Sequence, residues 1–186
     1  MKNIEERLDH LRTDMQTKEF LEGKGLSNEV NIRIFCYDPE DEMTVRHFME
    51  RISMDQSMNC HLRIYDLYQV FLDACDEIDI MDAIPEMEEE EGSSFRLEQL
   101  HSAIGEEHFI ELMQYEPHEP GRDILVLTGV GSVFPFMRIH TLLGAIQPYF
   151  SDIPVLVMYP GEFTNYQIRL FNKLQPNDYY RAFNVI

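Results

Sequence analysis

The sequence predicts an α/β fold, a single domain with a mainly parallel sheet of about five strands and helices on both faces. Three observations favour it. Residues 124–127 are an uninterrupted apolar run, typical of a strand that is covered on both faces. A turn with two glycines follows at 128–132, and then apolar residues recur at helical spacing. A second continuous apolar run occupies 153–159. Strand, glycine turn and helix form the repeating unit of doubly wound sheets.

The first half of the chain is predicted to alternate helices and strands. Residues 1–22 contain an amphipathic opening helix, a turn rich in glycine follows, and a strand occupies 30–37. A helix with an acidic first turn comes next, then a strand at 62–65 and a helix capped by Asp66. The residues predicted to face the core are Ile4, Leu8, Leu11 and Met15, then Val45, Phe48, Met49 and Ile52, then Leu67, Phe71, Cys75 and Ile78.

The second half is predicted to begin with a variable, helical and acidic insert at 85–121. Its run of glutamates at 86–91 has the composition of a solvated helix end. In the central unit, Phe136, Ile139, Leu143 and Ile146 share one helix face. The strand at 153–159 is expected to end at Pro160 and Gly161. A helix from about 165 and a last strand at 179–186 complete the prediction. The helix from 165 is predicted to turn Ile168, Phe171 and Leu174 inward.

Charge and cysteine content limit the function classes. The chain has 34 acidic and 15 basic residues, for a net charge of -19, so most of its surface repels nucleic acid and anionic membranes. Direct DNA binding and membrane association are therefore not expected, and a basic protein surface is the favoured partner. The three cysteines are far apart, and no secretory signal is recognisable. We predict a cytoplasmic protein with reduced thiols.

The glycine turn at residues 128–132 lacks the motifs of nucleotide enzymes. Gly129 and Gly131 begin a G-x-G-x-x-G pattern, but Phe134 stands where the third glycine belongs. No Walker A lysine is present, so the fold is expected to be Rossmann-like or P-loop-like without that motif. No nucleophile and base can be paired, and no histidines or cysteines have the spacing of metal ligands. The sequence predicts no enzyme, no metal site and no cofactor.

Five residues of the central unit remain as candidates for binding: Gly129, Gly131, Ser132, Arg138 and His140. The amides of Gly131 and Ser132 could hold an anion at a helix start, although Ser132 could equally be a helix cap. His140 falls on the apolar stripe, where a histidine is more often an interior residue than a catalyst. Arg138 is freer to meet a carboxylate or a partner.

Several phrases of the chain resemble a known family. These are LVLTGVGSVFPFMRIHTLL, PVLVMYPGEF, the terminal DYYRAF and the early GKGLSNEVNIRIFCYDPEDE. Together they are similar to the BrxB domain of bacteriophage-exclusion (BREX) defence systems, from near residue 20 to the C-terminus and most weakly within 85–121. The resemblance therefore assigns residues 1–186 to one BrxB-like domain.

The resemblance implies a non-enzymatic interaction or assembly subunit of an antiviral complex. Its expected partners are other BREX proteins, first among them the alkaline-phosphatase-like subunit of the PglZ type. A small-molecule or nucleotide sensor that uses the turn at 128–132 is the alternative. A hydrolase is a third and weaker one. Arg169 and Arg181, which lie beside apolar anchors, are expected to serve a structural or interface role rather than catalysis.

Overall fold

A parallel sheet forms the centre of the computed structural model, which describes residues 3–23, 31–164, 167–175 and 177–178. Four parallel strands lie in the order β2, β3, β4, β1, so β3 and β4 are the inner strands. The predicted α/β class with a mainly parallel sheet is confirmed, and the strands that contain the two apolar runs pair directly and in parallel. The strands are β1 (Ile32–Tyr37), β2 (His61–Asp66), β3 (Asp123–Thr128), β4 (Val155–Thr164), β5 (Gln167–Leu170) and β6 (Asn177–Asp178).

Helices cover both faces of the sheet, as predicted. One face carries α1 (Ile4–Asp14), α2 (Lys18–Glu22) and α3 (Glu42–Ser53). The other face carries α4 (Leu67–Glu77), α6 (Ser93–Ala103), α7 (Glu106–Met113), α8 (Val130–Val133) and α9 (Ile139–Ile146). The helix α5 (Ile84–Glu91) packs against α6. None of the described helices is long and apolar enough to cross a membrane.

Side-chain alternation along β3 divides the interior into two cores. Leu125 and Leu127 face the core under α4 and α9, whereas Ile124 and Val126 face the core under α1 and α3. A strand with a core on each side cannot alternate apolar and polar residues, which explains the continuous apolar run in the sequence.

The opening helix packs on the domain itself. Leu8, Leu11 and Met15 are buried in the same core as Phe48 of α3. The 85–121 segment is also part of the interior, because Phe109 is fully buried beneath the sheet. The glutamate run lies in α5 and ends at Gly92, as its composition predicted.

The prediction that β4 ends at Pro160 and Gly161 is wrong, and so is the prediction of a helix from about 165. β4 continues to Thr164 and pairs with β5 as an antiparallel hairpin, starting at Gly161 opposite Leu170. A proline has no N–H to donate, so Pro160 marks the end of parallel pairing with β1 rather than the end of the strand. A Cβ at Gly161 would overlap the Arg169 carbonyl, so the close approach of β5 requires glycine there.

The central helix is broken rather than continuous, which corrects a second prediction. Helix α8 stops at Val133 and α9 begins at Ile139. Pro135 is the physical reason, because it lacks an N–H and forces the preceding residue, Phe134, out of the helical region. Phe136 therefore belongs to the connection, where its ring stacks on Phe71 with centroids 4.5 Å apart.

Three predicted features fall wholly or partly outside the described residues. They are the turn that begins at Gly23, the last strand at 179–186 and the role of Arg181. Arg169 is described, and its Nη1 lies 3.6 Å from Oε1 of Glu162 across the β4–β5 hairpin. The role of Arg169 stays a prediction.

Candidate functional site

The side chain of Asp66 packs against the glycine turn at the carboxyl end of β3. Asp66 caps α4, because its Oδ1 accepts hydrogen bonds from the amides of Tyr68 and Gln69 at 2.9 and 3.3 Å. Gly129 adopts a left-handed conformation with φ of 71°. A Cβ at this position would overlap the Asp66 carboxylate. Gly129 is therefore required both by its backbone angle and by the neighbouring carboxylate.

The rest of the turn is also engaged by the protein's own side chains. A Cβ at Gly131 would lie 2.7 Å from Cε1 of Phe171. Ser132 does not cap a helix, because it lies inside α8, and its Oγ accepts a hydrogen bond of 3.0 Å from Nη2 of Arg46. Arg46 also donates to Glu42, whose other oxygen accepts from the hydroxyl of Tyr37 at 2.6 Å.

These contacts explain the glycines by packing and make the turn a poor anion site. A phosphate approaching Gly129 would meet the negative charge of Asp66, and one approaching Gly131 would meet the ring of Phe171. The cation nearest to Ser132, Arg46, is already paired with Glu42. The nucleotide-sensing alternative therefore finds little support in this geometry.

A separate cavity lies beside the turn, at the start of α9. Its volume is about 240 Å³. We call it the Arg138 cavity, after the exposed arginine at its mouth. Its walls are apolar and come from α8, the connection to α9, β4 and β5. They include Val130, Phe134, Met137, Tyr159, Ile168 and Leu170.

The mouth of the Arg138 cavity combines a charged and a neutral polar group. Burial, and then the neighbouring charge of Arg138, lower the pKa of His140 below its usual value, so its imidazole is neutral at pH 7. Arg138 precedes the first helical residue, so the two side chains reach one cavity despite their two-residue spacing. In the described part of the chain, the Arg138 guanidinium has no hydrogen-bond acceptor and no carboxylate within 4.0 Å.

A polar cluster at the opposite, amino end of β2 and β3 was missed in the sequence. His61 and Asp123 are register partners in these strands, and Nδ1 of His61 lies 3.1 Å from Oδ1 of Asp123. Asp123 is only 1% exposed. Its Oδ2 accepts hydrogen bonds from the hydroxyl of Tyr115 at 2.9 Å and the amide of Glu119 at 3.1 Å.

The charges around Asp123 favour a structural role for this cluster. Burial raises the pKa of Asp123, but the Glu119 amide, Tyr115, His61 and the charge of Arg63 outweigh burial and lower it overall. The carboxylate is thus ionised and satisfied. His61, Glu119 and Asp123 bring ligand atoms within 4.8 Å of one another, a spacing that would suit a metal ion.

The arginine beside the cluster opposes such a metal. Nη2 of Arg122 lies 3.3 Å from Nε2 of His61, and its Nη1 lies 3.6 Å from Oε2 of Glu119. A guanidinium can only donate, so Nε2 of His61 is the acceptor in its contact with Arg122. These side-chain contacts join the starts of β2 and β3.

The cysteines are buried thiols without a disulfide. Burial raises the pKa of Cys36 to about 12, and it also raises those of Cys60 and Cys75. A thiol with a raised pKa is a poor nucleophile at neutral pH.

Comparison with known proteins places the chain in a family. The family model described as "BREX protein BrxB" matches residues 63–185. That match includes the glycine turn, the Arg138 cavity and, of the cluster around Asp123 (the Asp123 cluster), every member except His61. The chain belongs to the BrxB family. It is thereby a member of the BREX phage-defence proteins, as the sequence motifs indicated.

Two BrxB relatives match along nearly the whole chain. The BREX protein BrxB of Bacillus cereus (strain H3081.97) is 36% identical over 193 residues, covering 100% of this chain and 99% of the relative. The BREX protein BrxB of Escherichia coli O9:H4 (strain HS) is 24% identical over 183 residues, covering 98% and 92%. No solved structure matches the chain significantly.

The five candidate binding residues occupy two neighbouring places rather than one. Gly129, Gly131 and Ser132 belong to the turn, whereas Arg138 and His140 belong to the cavity. The functional role of all five stays a prediction. Sequence reasoning missed the roles of Arg46 and Asp66 at the turn. Arg46 contacts Ser132 and Asp66 contacts Gly129, and each contact joins distant parts of the chain.

Proposed function

We propose that this BrxB family member is a non-enzymatic subunit that binds another BREX protein, and that the PglZ-type, alkaline-phosphatase-like subunit is that partner. Membership of the BrxB family places the chain in a system of several proteins. The assembly role and the PglZ-type partner are the proposed part of this function.

One observation carries the non-enzymatic part of the proposal. The carboxyl ends of the parallel strands are where doubly wound folds hold ligands and catalytic groups. At the glycine turn of this chain, Asp66 packs against Gly129, Phe171 against Gly131 and Arg46 donates to Ser132. These side chains serve contacts within the protein, which supports a non-enzymatic role.

Charge supports a protein partner over DNA. A chain with net charge -19 repels phosphates over most of its surface and attracts a basic protein surface. Exposed carboxylates of α5, such as Glu86 and Glu89, are available for such contact. The apolar face of α1 is not, because Leu8 and Leu11 are buried in the core.

A pull-down with purified components tests the proposal. Each protein encoded beside this chain in its BREX system is mixed with it at moderate salt, and the PglZ-type protein is expected to be retained. Association should slow as salt rises beyond the physiological range, where the Debye length is about 8 Å. If no BREX protein binds while the chain alone cleaves a nucleotide or DNA, the proposal is wrong.

Calorimetry with Mg²⁺ and ATP provides a second test. Without a Walker A lysine, and with Asp66 against the turn, no micromolar binding is expected. Micromolar affinity would instead favour the nucleotide-sensing alternative.

A further inference from the structure

The volume of the Arg138 cavity indicates which kind of ligand it can hold. At about 240 Å³ it is smaller than the roughly 300–1,000 Å³ typical of sites for small molecules and cofactors. A volume of this size suits one large apolar side chain, and pockets for single anchor side chains concentrate binding energy at the centres of protein interfaces.

The innermost walls of the cavity belong to the protein core. Tyr159 of β4 and Ile168 of β5 are almost completely buried. Phe134 and Leu174 are half-buried and line the same cavity. Wall residues that are already packed in the core lose little conformational freedom when an apolar side chain binds against them.

The charge at the cavity mouth is unusual for this chain. Most described arginines are matched by an acceptor, as Arg46 is by Glu42 and Arg169 is by Glu162. Arg138 is exposed and has none among the described residues, although the chain contains 34 acidic residues. With His140 neutral, the guanidinium is the positive group at the mouth. Its planar fork is suited to a carboxylate.

We infer that the Arg138 cavity is the anchor site for the partner protein. A large aromatic or aliphatic side chain of the partner enters the cavity, and an aspartate or glutamate close to it in the partner pairs with Arg138. This inference rests on the proposed function and assigns it a surface. The acidic field of the chain steers a basic partner at long range, whereas Arg138 and the cavity fix its orientation at contact.

Binding of the PglZ-type protein to three charge and size variants tests the assignment. Arg138→Glu reverses the charge at the mouth, and Gln175→Trp places an indole at an exposed position that lines the cavity. Arg51→Glu is the matched control. Arg51 is also an exposed arginine without an acceptor in the described residues, but it lies on α3 across the sheet, beside Glu5 and Asp9.

Arg138→Glu and Gln175→Trp are each expected to weaken binding by about tenfold or more, and Arg51→Glu by less than about twofold. Unchanged circular dichroism and melting curves show that the variants are folded. If both cavity variants bind like the unmodified chain, the inference is overturned while the proposed function stands. If the unmodified chain binds no BREX protein, both are overturned.

Sedimentation of the chain alone distinguishes a partner from a second copy. A dimer that dissociates in Arg138→Glu would assign the cavity to self-association and overturn the inference. A species whose mass is unaffected by Arg138→Glu agrees with it.

A small probe tests the site without the partner. 3-Phenylpropionate joins an aromatic ring to a carboxylate, as the inferred anchor does. At millimolar concentration it is expected to shift the backbone NMR signals of Ile139 and His140, and to lose this effect in Arg138→Glu. Shifts confined to other regions, or equal shifts in both proteins, would contradict the assignment.

Discussion

The glycine turn and the Arg138 cavity are neighbours in the chain but differ in how their polar groups are used. At the turn, Asp66, Ser132 and Arg46 all have partners inside the protein. At the cavity, Arg138 has no acceptor among the described residues. The comparison teaches that a glycine-rich motif can mark crowded packing, whereas an exposed charged group beside a cavity lies in a less distinctive segment nearby.

Substitution of a turn glycine should have the largest effect on stability. Gly129→Ala combines a left-handed residue with an overlap against Asp66, which would also weaken the cap of α4. We expect the free energy of unfolding to fall by about 3 kcal/mol. Thermal and urea unfolding measure the change.

Gly144→Ala is the matched control for that substitution. Gly144 lies within α9 and has open space around it. Alanine there should raise stability by about 0.5–1 kcal/mol. Equal effects at positions 129 and 144 would remove the distinction between the turn and an ordinary helix surface.

An intermediate loss of stability is expected at the Asp123 cluster, where a buried carboxylate accepts hydrogen bonds far from both the glycine turn and the Arg138 cavity. Asp123→Asn leaves one acceptor oxygen, so its NH2 group must face either the donors of Tyr115 and Glu119 or the ring of His61. The expected loss is about 2 kcal/mol. A loss below about 0.5 kcal/mol would show that these hydrogen bonds contribute little.

Asp123 also predicts how the stability of the protein should change with pH. Its pKa is lower in the folded protein than the unfolded value of about 3.9, so its stabilisation is fully present above that pH. The stabilisation is lost as pH falls through the folded pKa. The stability difference between the wild-type chain and Asp123→Asn should therefore shrink below about pH 4, as followed by urea unfolding at several pH values.

The smallest stability effect is expected at the cavity mouth. Arg138→Gln removes an exposed charge that has no acceptor among the described residues, so the free energy of unfolding should change by less than about 0.5 kcal/mol. A loss above about 1 kcal/mol would show that Arg138 stabilises the fold and would weaken the contrast with the turn.

The sequence predicted most of the fold because burial leaves a local pattern. The apolar run of β3 and the helical stripe of α3 each identify a core face directly. β5 was mistaken for a helix, since Ile168, Phe171 and Leu174 also fit a spacing of three. Only its pairing with the extension of β4 decides between the two.

The sites were less predictable because their contacts join distant residues. Arg46 and Ser132 are 86 positions apart, and His61 meets Asp123 only through the register of two strands. The sequence identified Arg138 and His140 individually as candidates. It could not show the shared cavity, whose far wall comes from β5.

The continuity of β4 constrains how members of this family can vary in length. β4 pairs with β3 in the parallel sheet and with β5 in the hairpin, and this hairpin brings Ile168 and Leu170 to the cavity. Side chains along a strand alternate between its two faces. One residue gained or lost between 155 and 164 would therefore turn the side chains of the hairpin to the opposite face relative to the sheet. Insertions in this strand should therefore be eliminated during evolution even though the hairpin lies at the periphery.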